Sequence, residues 1–235
     1  MEPRPPKLRF DISGYYFIGL FALVILGFWP SYFAKFFNGT ADFNFYFHFH
    51  ATMVILWIAM LITQPILIRK KKLALHRLIG KCSYVLFPLI FLSVVLLVHS
   101  RHNIDEPDLD IRLFVPFKDL LILGTAYFIA IRYRRDINLL ARGMVATGIV
   151  FIEPALVRFI MNTFGPGLTA YLITIGIIYV LLIGLMIAGR HQKRGRWVFP
   201  LILILYMLVH SVIIFNIHVG IWQAFAKWFI VLPLT

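Results

Sequence analysis

The chain has 235 residues, of which 61% are apolar or aromatic and 14% charged, against roughly 45–50% and about 25% in soluble domains. That balance excludes a soluble globular domain and a disordered chain alike. The net charge of +13 points to membrane topology rather than nucleic acid, because the basic residues gather on one side of the apolar stretches.

An α-helix rises about 1.5 Å per residue, so about 20 apolar residues cross a hydrocarbon core about 30 Å thick. Seven stretches near that length follow in order: 15–34, 45–68, 78–98, 113–131, 137–161, 167–189 and 197–219. The first, second, sixth and seventh contain no Asp, Glu, Lys or Arg. The third carries Lys81, the fourth Lys118 and Asp119, and the fifth Arg142, Glu153 and Arg158. None shows the alternation of a membrane β-barrel. The predicted fold is therefore all-α, one polytopic membrane domain over 1–235 with seven transmembrane helices. Residues 220–235 stay apolar but are short for a span; with Trp222, Lys227 and Trp228 they predict an interfacial helix.

With the N-terminus inside, 17 of the 23 Lys and Arg residues fall on the inner side, among them Arg4, Lys7, the run 69–72, Arg132, Arg134, Arg135 and Arg190. Seven of the ten acidic residues, Asp42 among them, fall outside. The positive-inside rule then predicts N-in, C-out, with anionic lipid head groups against the inner loops. Cys82 is the one cysteine, so neither an intrachain disulfide nor a cysteine metal cluster is available. The basic N-terminus leads into a long apolar run without a small-residue cleavage site, which predicts an uncleaved first span.

Polar residues inside spans are costly to bury and mark sites. Of eight histidines, His76 and His191 fall in inner loops; His48 and His50 open the second span, His99 and His102 close the third, and His210 and His218 belong to the seventh. Entry near Val198 places His210 about 18 Å from the inner face, and entry near Leu140 places Glu153 about 19 Å in. Asp119 lies about 9 Å below the outer face. These three share a level, and the other outer histidines sit above it.

Helical geometry orders the directions. At about 100° per residue, His50, Trp57 and Gln64 form a stripe facing the bundle interior, with His48 nearly opposite. Arg112 shares a stripe with Asp119 and is expected to pair with it. Arg142 shares one with Glu153 but stands about 16 Å away. Tyr206, one turn below His210, is its expected hydrogen-bond neighbour. His210 and His218 are about 12 Å apart along the axis, too far to chelate one ion together.

Imidazole with carboxylate suits a transition metal such as zinc or iron better than calcium or magnesium. The leading reading is a metal held by His50, His99 and His210 with Glu153, and Glu153 or Asp119 as catalytic carboxylate, for redox or hydrolytic work on a membrane-associated substrate. The alternative cofactor is a b-type haem between His48 or His50 and His99, with the protein an electron carrier. No HExxH, same-helix HxxxH or CxxCH motif is present. A third reading takes Glu153, Asp119 and His210 as a proton or ion path in a transporter, with Gly143, Gly148, Pro154, Gly165 and Pro166 loosening helices. A fourth is an assembly factor. Each residue also has a plainer use: Glu153 in an internal ion pair, His210 bonded to a neighbouring carbonyl, Asp119 paired with Lys118, His48 and His50 anchored in the aromatic belt 43–49.

The stretch from His48 to Leu89 joins the histidine pair, Trp57, Gln64-Pro65, a basic loop and Leu75-His76-Arg77-Leu78-Ile79-Gly80-Lys81. It resembles a group of uncharacterised bacterial multi-pass membrane proteins with a Leu-His-Arg-x-x-Gly segment at a span entrance. The resemblance covers about 40 residues and implies a bacterial inner membrane, with His76 and Arg77 as a further place to look. In layout the chain is also similar to metal-dependent membrane hydrolases with histidines on their second and last spans, although His210 and His218 do not keep the spacing of their same-helix pair.

Overall fold

The computed structural model describes residues 9–41 and 43–235. Arg4, Lys7 and Asp42, counted in the charge asymmetry, lie outside the described residues. Helices account for nearly all of the rest, and no strand occurs among the described residues. Six helices are long and apolar enough to cross a membrane: α1 (Phe10–Phe37), α2 (Phe45–Arg69), α3 (Leu73–His99), α4 (Leu109–Arg132), α5 (Ile137–Phe164) and α6 (Leu168–Ala188). Two shorter helices follow, α7 (Val198–Ile214) and α8 (Gly220–Ile230).

Local chemistry sets the ends. The Asn44 side chain accepts from the Phe47 amide at the start of α2, and Asp136 accepts from the Asn138 and Leu139 amides at the start of α5, each satisfying N–H groups that a first turn leaves open. Pro65, Pro88 and Pro116 lie within α2, α3 and α4. Membrane helices tolerate such prolines more readily than helices in water do. In α1 the backbone loosens to a π-turn over Trp29–Phe33, with Pro30 inside it, as expected where a ring replaces an amide donor.

Two boundaries differ from the sequence expectation. The third helix begins at Leu73 rather than 78, so His76 and Arg77 sit in its first turns and not in a loop. The last long apolar stretch stops being helical at Ile214, because Asn216 turns left-handed at φ 48° while the Ile217 amide bonds back to the Val212 carbonyl; this closes a helix C-terminus. His218 therefore lies beyond α7.

Successive helices pack mainly as antiparallel neighbours, and α5 is the hub, touching α1, α4, α6 and α7. The core is built from Trp57 and Ile58 of α2, Ile122 and Ala126 of α4, Ala146 of α5 and Tyr206 of α7, all inaccessible. Close approach relies on small residues, as in membrane bundles generally. A Cβ on Gly27 of α1 would stand 2.2 Å from the Ala155 carbonyl oxygen of α5, and Asn162 of α5 donates to the Gly27 carbonyl at 3.1 Å. This contact seats the C-terminal half of α5, which carries Glu153, against the rest of the bundle.

Candidate functional site

Helix α5 tightens midway. The Phe151 amide bonds to the Gly148 carbonyl at 3.2 Å, a 3₁₀-type closure, and Pro154 brings no amide of its own. Glu153 lies in the first turn of the helical stretch that restarts at Ile152, where amide dipoles favour an anion. Its side chain is 4% exposed.

Both carboxylate oxygens are engaged. Lys118 Nζ of α4 donates to Glu153 Oε1 at 2.6 Å and to Asp119 Oδ1 at 2.7 Å. His210 Nε2 of α7 lies 3.1 Å from Glu153 Oε2, and His210 Nδ1 lies 3.1 Å from the Tyr179 hydroxyl of α6. The Lys118 and His210 side chains are fully buried, while that of Asp119 is 21% exposed. A neutral imidazole satisfies this geometry by donating from Nε2 to Glu153 and accepting the Tyr179 proton at Nδ1. Protonated, it would still donate to Glu153 and would donate to the Tyr179 oxygen. The chain Tyr179–His210–Glu153–Lys118–Asp119 thus links four helices through charge-assisted bonds.

The surroundings are polar where they need not be. The rings of Tyr206 and Tyr171 stand 5.3 and 5.9 Å from the His210 ring, and both hydroxyls are buried without a hydrogen-bond partner among the described residues. The Arg158 guanidinium, which donates to the Pro154 carbonyl at 2.8 Å, lies within electrostatic reach of Asp119, His50 and Arg101. Two carboxylates face one buried ammonium, so the second proton of the imidazole decides the charge of the set.

Several expectations are met by this geometry, and others are corrected. Glu153 and His210, placed on one level by helical rise, are in contact, and Asp119 joins them through Lys118. Arg112 does not pair with Asp119: its Nε donates to the Pro107 carbonyl at 3.0 Å, and Lys118 takes the carboxylate instead. Tyr206 is a ring neighbour of His210 but not its hydrogen-bond partner, a place taken by Tyr179. Trp57 and His50 do face inward, Trp57 donating to Thr147 of α5 and His50 bonding to Ser93 of α3 at 3.1 Å. His48 turns to Tyr32 of α1 at 2.9 Å. His99 bonds to Thr235 at 2.6 Å, His218 to Asp110 at 2.7 Å, and His102 to Glu106 at 2.7 Å.

The ligand set His50, His99, His210 and Glu153 is accordingly not gathered in one place; no three His, Cys, Asp or Glu side chains among the described residues converge as a metal centre would require. Of that set only His210 and Glu153 meet. The residues that the sequence reading missed are Lys118 as the bridge and Tyr179 and Tyr171 as neighbours. Lys118 was visible as a charge inside an apolar span, and the two tyrosines, with Thr169 and Thr174, as the hydroxyls of the sixth stretch.

The N-terminal part of α5 holds a second buried charge. Arg142 is inaccessible and donates to the Arg194 carbonyl at 3.0 Å, to the Gln192 side-chain oxygen and to the Asn138 carbonyl, pinning the 189–197 loop. Its guanidinium lies 5.4 Å from the Phe10 ring centre. Compared with known proteins, the chain matches no family model, no curated protein and no solved structure.

Proposed function

We propose that this chain is a seven-span protein of a bacterial inner membrane whose buried Lys118–Glu153–His210 cluster accepts and passes a proton along a path through the bundle. The reading rests on one observation: a carboxylate held between an ammonium and an imidazole, 2.6 and 3.1 Å away, among helices of membrane-spanning length. Intramembrane ionisable groups of this kind are typical of proton relays. Three features support it. The imidazole has two bonded nitrogens and exchanges donor and acceptor roles at Tyr179 without moving. The Tyr171 and Tyr206 hydroxyls border it as further stations. Asp119, partly exposed, is the end of the chain that reaches the surface of the bundle.

Topology belongs to the same proposal. At about 1.5 Å per residue the 17 residues of α7 span about 25 Å, within the shorter range of crossing helices. The basic bias then places the N-terminus inside and Asp119 toward the outer face. On that topology α8 rests at the outer interface, where Trp222 and Trp228 belong. The inner-membrane assignment is supported by the basic loops and by the Leu-His-Arg-x-x-Gly resemblance.

The test is proton movement in vesicles. Purified protein in liposomes loaded with a pH-sensitive dye is expected to relax an imposed pH gradient faster than empty liposomes, and Glu153→Gln is expected to abolish the difference. Relaxation by Glu153→Gln equal to that of the unaltered protein would overturn the relay. The transition-metal reading keeps one observation, the contact of His210 with Glu153. Stoichiometric zinc or iron in the purified protein, lost in His210→Ala, would favour it.

A further inference from the structure

On the face of the bundle away from this cluster, α3 and α4 leave a groove of about 520 Å³ between them. Its walls are Phe91 and Val95 of α3 and Phe117, Leu121, Gly124 and Phe128 of α4. The one hydroxyl at its edge, Thr125, donates to the Leu121 carbonyl at 2.9 Å and asks nothing of a guest. The groove runs along α4 from Phe117 to Phe128, about 17 Å at 1.5 Å per residue. That is close to half a hydrocarbon core, about 15 Å.

The two ends differ. At the Phe117 end stands α8, whose Phe225 and Phe229 rings pack on Phe117 at 5.5 and 5.3 Å. At the other end it opens toward Arg132, one turn beyond Phe128 on the same stripe of α4, and toward Arg134 and Arg135. All three arginines are exposed. Arg134 is held across the groove mouth by its bond to the Tyr84 hydroxyl of α3 at 3.0 Å. The nearby Asp136 carboxylate faces the α5 amides and Arg194 at 3.5 Å, so it does not neutralise them.

We infer that this face is a binding site for one anionic phospholipid, with an acyl chain in the α3–α4 groove and the phosphate at Arg132, Arg134 and Arg135. The occupant follows from charge and length together: an apolar slot about one leaflet long has three exposed arginines beyond one end against a single aspartate. Guanidinium groups bind phosphate with paired N–H donors, and the apolar walls suit a hydrocarbon chain. The inference does not depend on the proton relay.

Native mass spectrometry of the full-length protein tests it, after exposure to equal amounts of phosphatidylglycerol and phosphatidylcholine carrying identical acyl chains. The expected result is one phosphatidylglycerol retained in clear preference. Each arginine replaced by Gln should weaken retention about fivefold, whereas replacing Lys70, Lys71 and Lys72 by Gln should leave it intact. Gly124→Leu, whose Cβ would already stand 3.3 Å from Phe91, should fill the slot and abolish retention. Leu121→Trp does the same from a position 54% exposed, where the fold does not need the native side chain. Equal retention of both lipids, equal loss in the lysine variant, undiminished retention in Leu121→Trp, or a protein dimer in place of lipid adducts would each overturn the site.

Discussion

The two buried charges of α5 are held in opposite ways. Arg142, toward the N-terminal end, is surrounded by neutral acceptors: two backbone carbonyls and a glutamine side chain. Glu153, half a helix further on, is surrounded by groups that themselves carry or exchange protons: Lys118, His210 and, one step away, Asp119 and Tyr179. Neutral dipoles hold a guanidinium that has nowhere to pass its proton, which makes Arg142 a fastening. A carboxylate between an ammonium and an imidazole has partners that can themselves exchange protons, which is what the proposed relay asks of Glu153. Burial alone does not separate the two; the chemistry of the partners does.

The largest effect expected from breaking this contrast is on Glu153. Glu153→Ala leaves the Lys118 ammonium with Asp119 alone and His210 without its acceptor, and removal of one member of a buried pair costs about 3–5 kcal/mol. Thermal unfolding in detergent should register it, and a rise in melting temperature would refute the pairing. A Lys118→Met and Glu153→Gln cycle sharpens the point: the double variant should be more stable than the sum of the single losses by about 0.5–3 kcal/mol. Simple additivity would mean that the two side chains do not interact.

Arg142→Met should cost less, about 1–3 kcal/mol, since it orphans neutral acceptors rather than a charge. Its signature is local: faster hydrogen exchange in the 189–197 loop, with proton movement unaltered. Loss of proton movement in this variant would erase the distinction between fastening and relay.

The smallest effect belongs to a half-buried loop pair of similar composition, each side chain 21% exposed. The His102 imidazole beside Glu106 holds that carboxyl below the usual glutamate range. A lowered folded-state value adds stability that is present above the ordinary range and fades as pH falls through the lowered one. Water screens this pair, so acidification should change exchange in the 100–108 loop and leave the melting temperature where it was. A large shift in melting temperature over that range would show the loop to be coupled to the bundle.

The sequence carried the level of the site better than its direction. Helical rise alone put His210 and Glu153 at one depth, and they touch. Rise says nothing about azimuth between helices, and there the expectation of converging histidines failed: His48, His50 and His99 are drawn to Tyr32, Ser93 and Thr235, single hydroxyls whose spacing announces nothing. Lys118 escaped notice as a partner of Glu153 because adjacency to Asp119 offered a sufficient local explanation. Its long side chain reaches both. Helix ends departed most from expectation at two places, the start at Leu73 rather than 78 and the stop at Ile214, where the left-handed Asn216 ends α7 before His218.

The link between α4 and α5 is only Tyr133–Asp136. Each helix alone would carry an ionised group into hydrocarbon, at about 2.5–3.5 kcal/mol apiece at mid-depth. Joined so tightly, with Lys118 on one and Glu153 on the other, they suit delivery from the translocon as a single hairpin whose opposite signs meet before lipid surrounds them. In such a pathway the order of synthesis itself brings the two charges together.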